Sequence, residues 1–211
     1  MITAIVLAGG RSSRFGSNKL AVQLDGASLL SRTIAAVQPI ADIVIVAGPG
    51  LPDGIQTGDI PATVVHDREA FGGPLVALAN VLERVLPDPA TSLAIVVGGD
   101  MPRLVPAVLT AMLDRLTADP ELDAVILQAP DAPHRQVLPL ALREHAALGA
   151  ARAGLETGDR SLTGLIDRLR TLELPADAWQ PLDPAGDTLA DVDTPGDLDR
   201  LRSGESEHDG R

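Results

Sequence analysis

Seventeen residues of this chain are basic, and only one of them is a lysine. Lys19 lies nine residues beyond the Gly9-Gly10 pair, which closes the apolar run Thr3–Ala8. Arginine is a planar fork, whereas lysine is a compact point charge on a flexible stem, suited to one phosphate oxygen that moves during a reaction. A lone lysine after a glycine-rich turn reads as a phosphate-handling group, or else as a surface lysine without a role. Gly9 and Gly10 let the backbone wrap closely around phosphates with its N–H groups turned inward, and Arg14 adds side-chain charge. Neither common nucleotide fingerprint is present: the segment fails the G-x-x-x-x-G-K-[ST] spacing, and no G-x-G-x-x-G occurs.

Carboxylates supply the second kind of chemistry. Asp100 follows Leu93–Val97, the strongest buried-strand pattern in the chain, at the end where ligands of open α/β sheets bind. There it suits magnesium, which takes hard oxygen ligands, one or two carboxylates beside substrate phosphates; alternatively it caps a following helix. Asp191 and Asp193 are two apart, so on a strand they share a face and in a turn both can point into a site. Thr194-Pro195 then reads as a helix entry, with Thr194 as N-cap and Pro195 in first position. By itself Asp67 reads as a turn aspartate paired with Arg68 or a backbone amide, and Arg160 as a solvated loop residue. The four histidines are scattered without zinc-site spacing.

These groups need a frame, and the pattern of apolar runs provides one. Thr3–Ala8, Ile43–Ala47, Thr63–Val65, Leu93–Val97 and Ala124–Leu127 are nearly continuous and rich in Val and Ile, as strands buried on both faces are. Helical spacing occupies Ser28–Val37, Pro74–Leu86 and Pro106–Leu116. The alternation predicts an α/β sheet, mostly parallel, with right-handed crossovers. Beyond residue 130 the rhythm loosens: a strand at Val137–Leu142, a short helix carrying Leu162, Leu165, Ile166 and Leu169, a strand at Thr171–Leu174 and a closing helix at Pro195–Leu201. The expected organisation is a single domain over residues 1–202 and a disordered acidic tail over 203–211.

Composition excludes several functions. There is no cysteine, which removes disulfides, Cys-ligated zinc, iron–sulfur clusters and thiol catalysis. Aromatics number two Phe and one Trp, and the net charge is −12, so neither stacking platforms nor a general basic surface exist for nucleic acid. The charge is uneven: residues 173–211 hold eleven acidic against three basic residues, while residues 1–38 hold Arg11, Arg14, Lys19 and Arg32 against Asp25 alone. An anionic ligand is drawn to the glycine turn by this local field. With no basic leader and no apolar run of membrane-spanning length, a soluble cytoplasmic protein is expected, with neither nucleic-acid nor membrane partners.

The thirteen-position pattern L-A-G-G-x-S-x-R-x-G-x-x-K, from Leu7 to Lys19, resembles the signature of nucleotidyltransferases that make activated sugars and dinucleotide cofactors. Within them it is most similar to the MobA-like branch, the molybdenum cofactor guanylyltransferases. Four later segments follow in order: Val64-Val65-His66-Asp67, Gly72-Gly73-Pro74-Leu75, Gly98-Gly99-Asp100-Met101-Pro102 and Asp191-Val192-Asp193-Thr194-Pro195. The resemblance implies a Rossmann-like three-layer sandwich of the nucleotide-diphospho-sugar transferase type. It implies transfer of a nucleoside monophosphate, GMP by preference, from an NTP to the terminal phosphate of molybdopterin or the molybdenum cofactor, with Mg²⁺ as cofactor. It assigns Lys19, Arg14 and Asp100 to catalysis. Nucleotide binding falls to Leu7, Ala8, Gly9, Gly10, Lys19, Asp67, Gly73, Pro74, Leu75 and Asp100, acceptor binding to Arg160, Asp191 and Asp193, and metal binding to Asp100 and Asp193. Transient contact with molybdoenzymes or their chaperones is implied as well. Asp-Val-Asp before Thr-Pro departs towards the cytidylyltransferase relative, which leaves CTP open beside GTP. Two further alternatives are another small phosphorylated-acceptor nucleotidyltransferase and a nucleotide-binding regulator without turnover.

Overall fold

The computed structural model describes residues 1–9, 19–48, 62–66, 72–85, 92–129 and 134–203. In chain order the elements are β1 (Ile2–Leu7), a hairpin of β2 (Gln23–Leu24) and β3 (Ala27–Ser28), α1 (Leu29–Val37), β4 (Ile43–Ala47), β5 (Ala62–Val65), α2 (Pro74–Val85), β6 (Leu93–Gly98) and α3 (Pro106–Ala118). There follow β7 (Ala124–Leu127), β8 (Leu140–Arg143), α4 (Glu144–Glu156), α5 (Leu162–Ile166), β9 (Thr171–Leu174), α6 (Ala176–Trp179) and α7 (Pro195–Ser203). A seven-stranded sheet runs β5-β4-β1-β6-β8-β7-β9. All its pairings are parallel except those of β8, which lies antiparallel to both β6 and β7.

The sheet is buried on both sides, as the unbroken Val/Ile runs require. Along β1, Ala4 and Val6 join one core with Leu30, Ile34 and Val37 of α1 and Val108, Leu109 and Met112 of α3. Ile5 between them joins the opposite core, with Leu75, Leu78 and Leu82 of α2, Ala147 and Ala151 of α4 and Leu165 of α5. Neighbouring residues of one strand thus serve different helical layers, which is the period-two rule acting in a three-layer sandwich. Each fully buried Val, Leu or Ile contributes about 1.5–3 kcal/mol, so these two layers dominate stability. Trp179, the one tryptophan, is buried in the first core and donates its indole N–H to the Gln128 carbonyl at 3.1 Å.

Strand and helix bounds agree closely with the sequence pattern, with a few exceptions, among them the unexpected short helix α6. The strand expected at Val137–Leu142 begins later, at Leu140, and runs antiparallel. α4 went unread, and so did the β2–β3 hairpin, whose Asp25 (φ 49°) and Gly26 (φ 83°) make the tight turn. Ser203, expected to open the tail, ends α7 instead, and residues 204–211 lie outside the described residues.

A small third cluster closes the molecule at one end. Leu24 and Leu29, from the hairpin and α1, pack with Val192 and Leu198, so α7 and the segment before it dock onto the hairpin. Lys19 precedes that hairpin directly, and Asp193 flanks Val192. Docking of this cluster therefore brings residues from opposite ends of the chain together.

Candidate functional site

The carboxyl ends of β1 and β6 lie side by side, paired through Leu7 and Gly98. Just past them the Gly99 N–H donates to the Leu7 carbonyl at 3.0 Å. Asp100 stands on the turn that follows. A Cβ on Gly98 would come within 2.5 Å of Asp100 Oδ1, so only glycine leaves the carboxylate its position. Thr33, fully buried in α1, has its hydroxyl 3.2 Å from the Gly99 carbonyl and 3.0 Å from that of Met101, holding the turn from below.

Lys19 opens a short turn of 3-10 helix, Lys19–Ala21, which leads into the hairpin. Its ammonium donates to Asp100 Oδ2 at 2.7 Å and to Asp193 Oδ1 at 2.8 Å. The lysine side chain is 12% exposed, those of Asp100 and Asp193 27% and 58%, so the contact is walled by protein on one side and open to solvent on the other. A backbone bond fixes the segment: Val192 N–H donates to the Asp100 carbonyl at 3.0 Å. Beyond it, the N–H groups of Asp193 and Thr194 and the Thr194 hydroxyl all donate to Asp197 Oδ2, while the Asp197 N–H reaches back to Thr194 Oγ1 at 3.3 Å. That reciprocal pair is a capping box, with Thr194 as N-cap and Pro195 first in α7.

Electrostatics follow from this packing. Desolvation alone would lower the Lys19 pKa, but the hydrogen bonds to Asp100 and Asp193 outweigh it and hold the ammonium above its ordinary value. Asp191 is pushed up to about 6, first by desolvation and then by repulsion from Asp193 and Asp100, with Lys19 opposing. The residue keeps an open face to water, so the crowding concerns the side turned towards the cluster. Asp197 is also desolvated, but the bonds from Thr194 and Arg200 prevail and lower its pKa.

Lys19, Asp100 and Asp193 therefore meet, with Asp191 in their field. Leu7 ends β1, and Ala8 and Gly9 follow it, Ala8 donating its N–H to the Ala47 carbonyl at 2.7 Å. Gly73, Pro74 and Leu75 form a separate turn at the start of α2, and Arg160 is brought to that turn. Gly10, Arg14 and Asp67 lie outside the described residues. Arg32, counted above in the local positive field, is engaged by the hairpin, donating to the Leu24 carbonyl and to Asp25. Asp100 does not act as a helix cap, for α3 starts only at Pro106 behind Val105. Gly98 and Val192 lie inside segments that the sequence singles out, whereas Thr33 does not; its one signal is a threonine on the buried stripe Leu29, Leu30, Ile34, Val37. A cavity of about 270 Å³ bordered by Gln128, His134, Arg135 and Glu173 contains none of the clustered groups.

Two carboxylates that already converge on a cationic nitrogen are a donor set suited to magnesium, which takes one or two carboxylates and completes its shell from phosphate and water. No group of three or more Asp, Glu, His or Cys side chains suited to a metal occurs among the described residues.

Comparison with known proteins yields one family and one fold. A model described as the MobA-like NTP transferase domain matches residues 4–172. A probable molybdenum cofactor guanylyltransferase of Chloroflexus aggregans is 32% identical over 94% of this chain and 92% of its own length. One of Pyrococcus furiosus with the same description is 29% identical over 84% and 86%. Among solved structures, molybdopterin-guanine dinucleotide biosynthesis protein A of Archaeoglobus fulgidus superimposes with a TM-score of 0.74 at 20% identity, covering 95% of this chain and 97% of that one. The 2-C-methyl-D-erythritol 4-phosphate cytidylyltransferase of Thermus thermophilus superimposes with a TM-score of 0.65 at 18% identity, covering 94% of this chain and 96% of that one. The sheet and its helical layers are those of the nucleotide-diphospho-sugar transferase fold.

Proposed function

The chain belongs to the MobA-like NTP transferase family, and from that premise we propose that it transfers GMP from GTP to the terminal phosphate of molybdopterin or the molybdenum cofactor. The observation that carries this reading is the convergence of Lys19, Asp100 and Asp193 at the carboxyl edge of the parallel strands. In the reaction, an oxygen of the acceptor phosphate forms a bond to the α-phosphorus of GTP, and the bond from that phosphorus to the pyrophosphate oxygen breaks. A phosphate monoester is largely ionised at neutral pH, so the nucleophile needs no general base, and the site's task is positioning and charge neutralisation.

Each residue then has a part. Lys19 turns its ammonium from the carboxylates to the phosphate chain and follows the charge that builds on the leaving pyrophosphate. The turn after β1, with Gly9, offers backbone N–H groups to the same phosphates. Asp100 and Asp193 would hold magnesium, which supplies charge neutralisation on the phosphates when bound. Asp191, with its raised pKa, accepts from the N–H donors along a pterin edge. Gly73, Pro74 and Leu75, at the positive end of α2, border the nucleotide.

The test is reconstitution: protein, molybdopterin, Mg²⁺ and either GTP or CTP, with pyrophosphate release and the dinucleotide product measured. Product from GTP supports the proposal. Product from CTP alone would transfer the assignment to cytidylyl transfer, and tight NTP binding without product from either nucleotide would favour the regulatory alternative.

A further inference from the structure

The Gly72–Leu75 turn is gripped from a distant part of the chain by a single residue. Arg160, 88 positions from Gly72, donates from Nη1 to the Gly72 carbonyl at 3.1 Å. Its own carbonyl accepts the Leu75 N–H at 3.3 Å, one of the first-turn amides of α2 that the helix itself leaves without a partner. Between these two contacts lies Gly73, at φ +98°, where a Cβ would stand 3.1 Å from the Arg160 carbonyl oxygen and 3.2 Å from its Cβ. Side chain, main chain and excluded volume of one residue thus define the shape of one turn.

The neighbours of Arg160 are themselves bonded. Asp159 accepts the Ser161 N–H at 3.0 Å, the Ser161 hydroxyl at 2.8 Å and Arg168 Nη1 at 2.8 Å. Ser161 in turn N-caps α5 through the Gly164 N–H. The hydrogen bonds from Ser161, backbone first, keep the Asp159 pKa below its ordinary value. Gly164 has no room for a side chain, because a Cβ there would overlap Asp159 Oδ2. On the other side, Gly154 of α4 lies where a Cβ would press on Leu75 at 3.2 Å. The loop 157–161 is thus tied to α5 and to Arg168 through Asp159 and Ser161, while Arg160 itself stays exposed.

We propose that Arg160 is a positioning residue for the nucleotide, acting through the Gly72–Leu75 turn that it clamps, so that its loss weakens NTP binding before it touches acceptor use. The inference rests on the reading of that turn as part of the nucleotide site. Arg160→Ala removes the bond to Gly72 but leaves the backbone bond to Leu75, so the turn loosens while its helix persists. Arg160→Lys keeps a donor on a comparable stem.

The experiment is calorimetric titration of wild type, Arg160→Ala and Arg160→Lys with GTP and Mg²⁺ in the absence of acceptor. Thermal unfolding and steady-state KM values for GTP and for molybdopterin are measured on the same proteins. GTP affinity of Arg160→Ala should fall about tenfold, the scale of one hydrogen bond to a charged donor. Arg160→Lys should recover part of it, and the acceptor KM should stay within about twofold in both. If Arg160→Ala lowers the melting temperature sharply, the Arg160→Lys titration decides. Unchanged GTP affinity with a raised acceptor KM overturns the inference and makes Arg160 a direct acceptor contact, leaving the proposed function standing. Wild-type protein that binds no NTP overturns both.

Discussion

Two clamps shape the candidate site, and they are built on opposite plans. One is ionic: Lys19 bridges Asp100 and Asp193 with an ammonium at 2.7 and 2.8 Å, open to solvent on one side. The other is steric and backbone-made: Gly73 lies under Arg160 with no room for a side chain, and the bond from Leu75 to the Arg160 carbonyl does not depend on the Arg160 side chain. Charge contacts at a solvent boundary exchange partners at small net energy, since water, another ion or a phosphate can replace either member. Excluded volume cannot be traded in this way. The ionic clamp is therefore the part suited to rearrange when phosphates arrive, and the glycine clamp the part suited to stay.

Substitutions can break this contrast in graded steps. Asp100→Asn removes the carboxylate nearest both β-strand ends; turnover should fall by about 10²–10³ or more, while the melting temperature moves only a few degrees. Collapse of the fold in thermal unfolding would show instead that the residue holds the structure together. Gly98→Ala sharpens the same point, because its Cβ would push Asp100 Oδ1 aside from 2.5 Å without changing any charge. It should reproduce most of the Asp100→Asn loss in kcat.

Lys19→Arg comes next, at about a 10²-fold loss in turnover. A guanidinium fork does not fit the slot between two carboxylates shaped around one nitrogen. Full kcat in this variant would falsify the point-charge role. Gly73→Ala attacks the second clamp, and its cost should appear in a different place. Forcing a Cβ into positive φ costs on the order of 1–3 kcal/mol, so stability falls and GTP binding weakens, while kcat at saturating GTP stays near wild type.

The smallest effect concerns pH. Asp191 has its folded pKa raised to about 6 from the ordinary 3.8, so the folded state holds its proton more tightly than the unfolded chain. The stabilising contribution is complete below pH 3.8 and fades as pH rises through about 6, leaving ionised Asp191 a burden above that. Because the residue keeps an open face, solvent screening limits the effect to well under about 1 kcal/mol. Asp191→Asn should thus unfold about 1–3 °C higher than wild type at pH 7.5 and show no gain at pH 4. A gain of equal size at both values would show that ionisation has no part in it. Glu144, buried beside Thr3 without a geometrically formed hydrogen bond, has its pKa raised chiefly by desolvation and slopes in the same direction. The measurement is therefore a difference between variant and wild type at each pH.

Legibility of the sequence divided along similar lines. β4 and β7 fall where Val/Ile runs placed them, since a strand buried on both faces has only one pattern it can show. α4 escaped because its buried face is Ala147, Ala151 and Gly154 with Leu148 as its one large apolar side chain, so the helical period carries little hydrophobic contrast. The antiparallel course of β8 has no signature in four residues. At the site, lone occurrence singled out Lys19, and its strand end singled out Asp100. Their direct contact with Asp193 was not readable, because the docking of Leu24 and Leu29 on Val192 and Leu198 is a tertiary event. The bond from Arg160 to Gly72, across a separation that only the fold closes, has no signature in the sequence.

The bond from Val192 to the Asp100 carbonyl also imposes an order on biosynthesis. Lys19, Asp100 and all the strands are synthesised before residue 192. Until then the ammonium has one carboxylate instead of two, and the hairpin core lacks the two residues that cover it. The cluster is completed only once residues 192–198 have been made, so a nascent chain stalled before Val192 would carry the strands without the finished cluster.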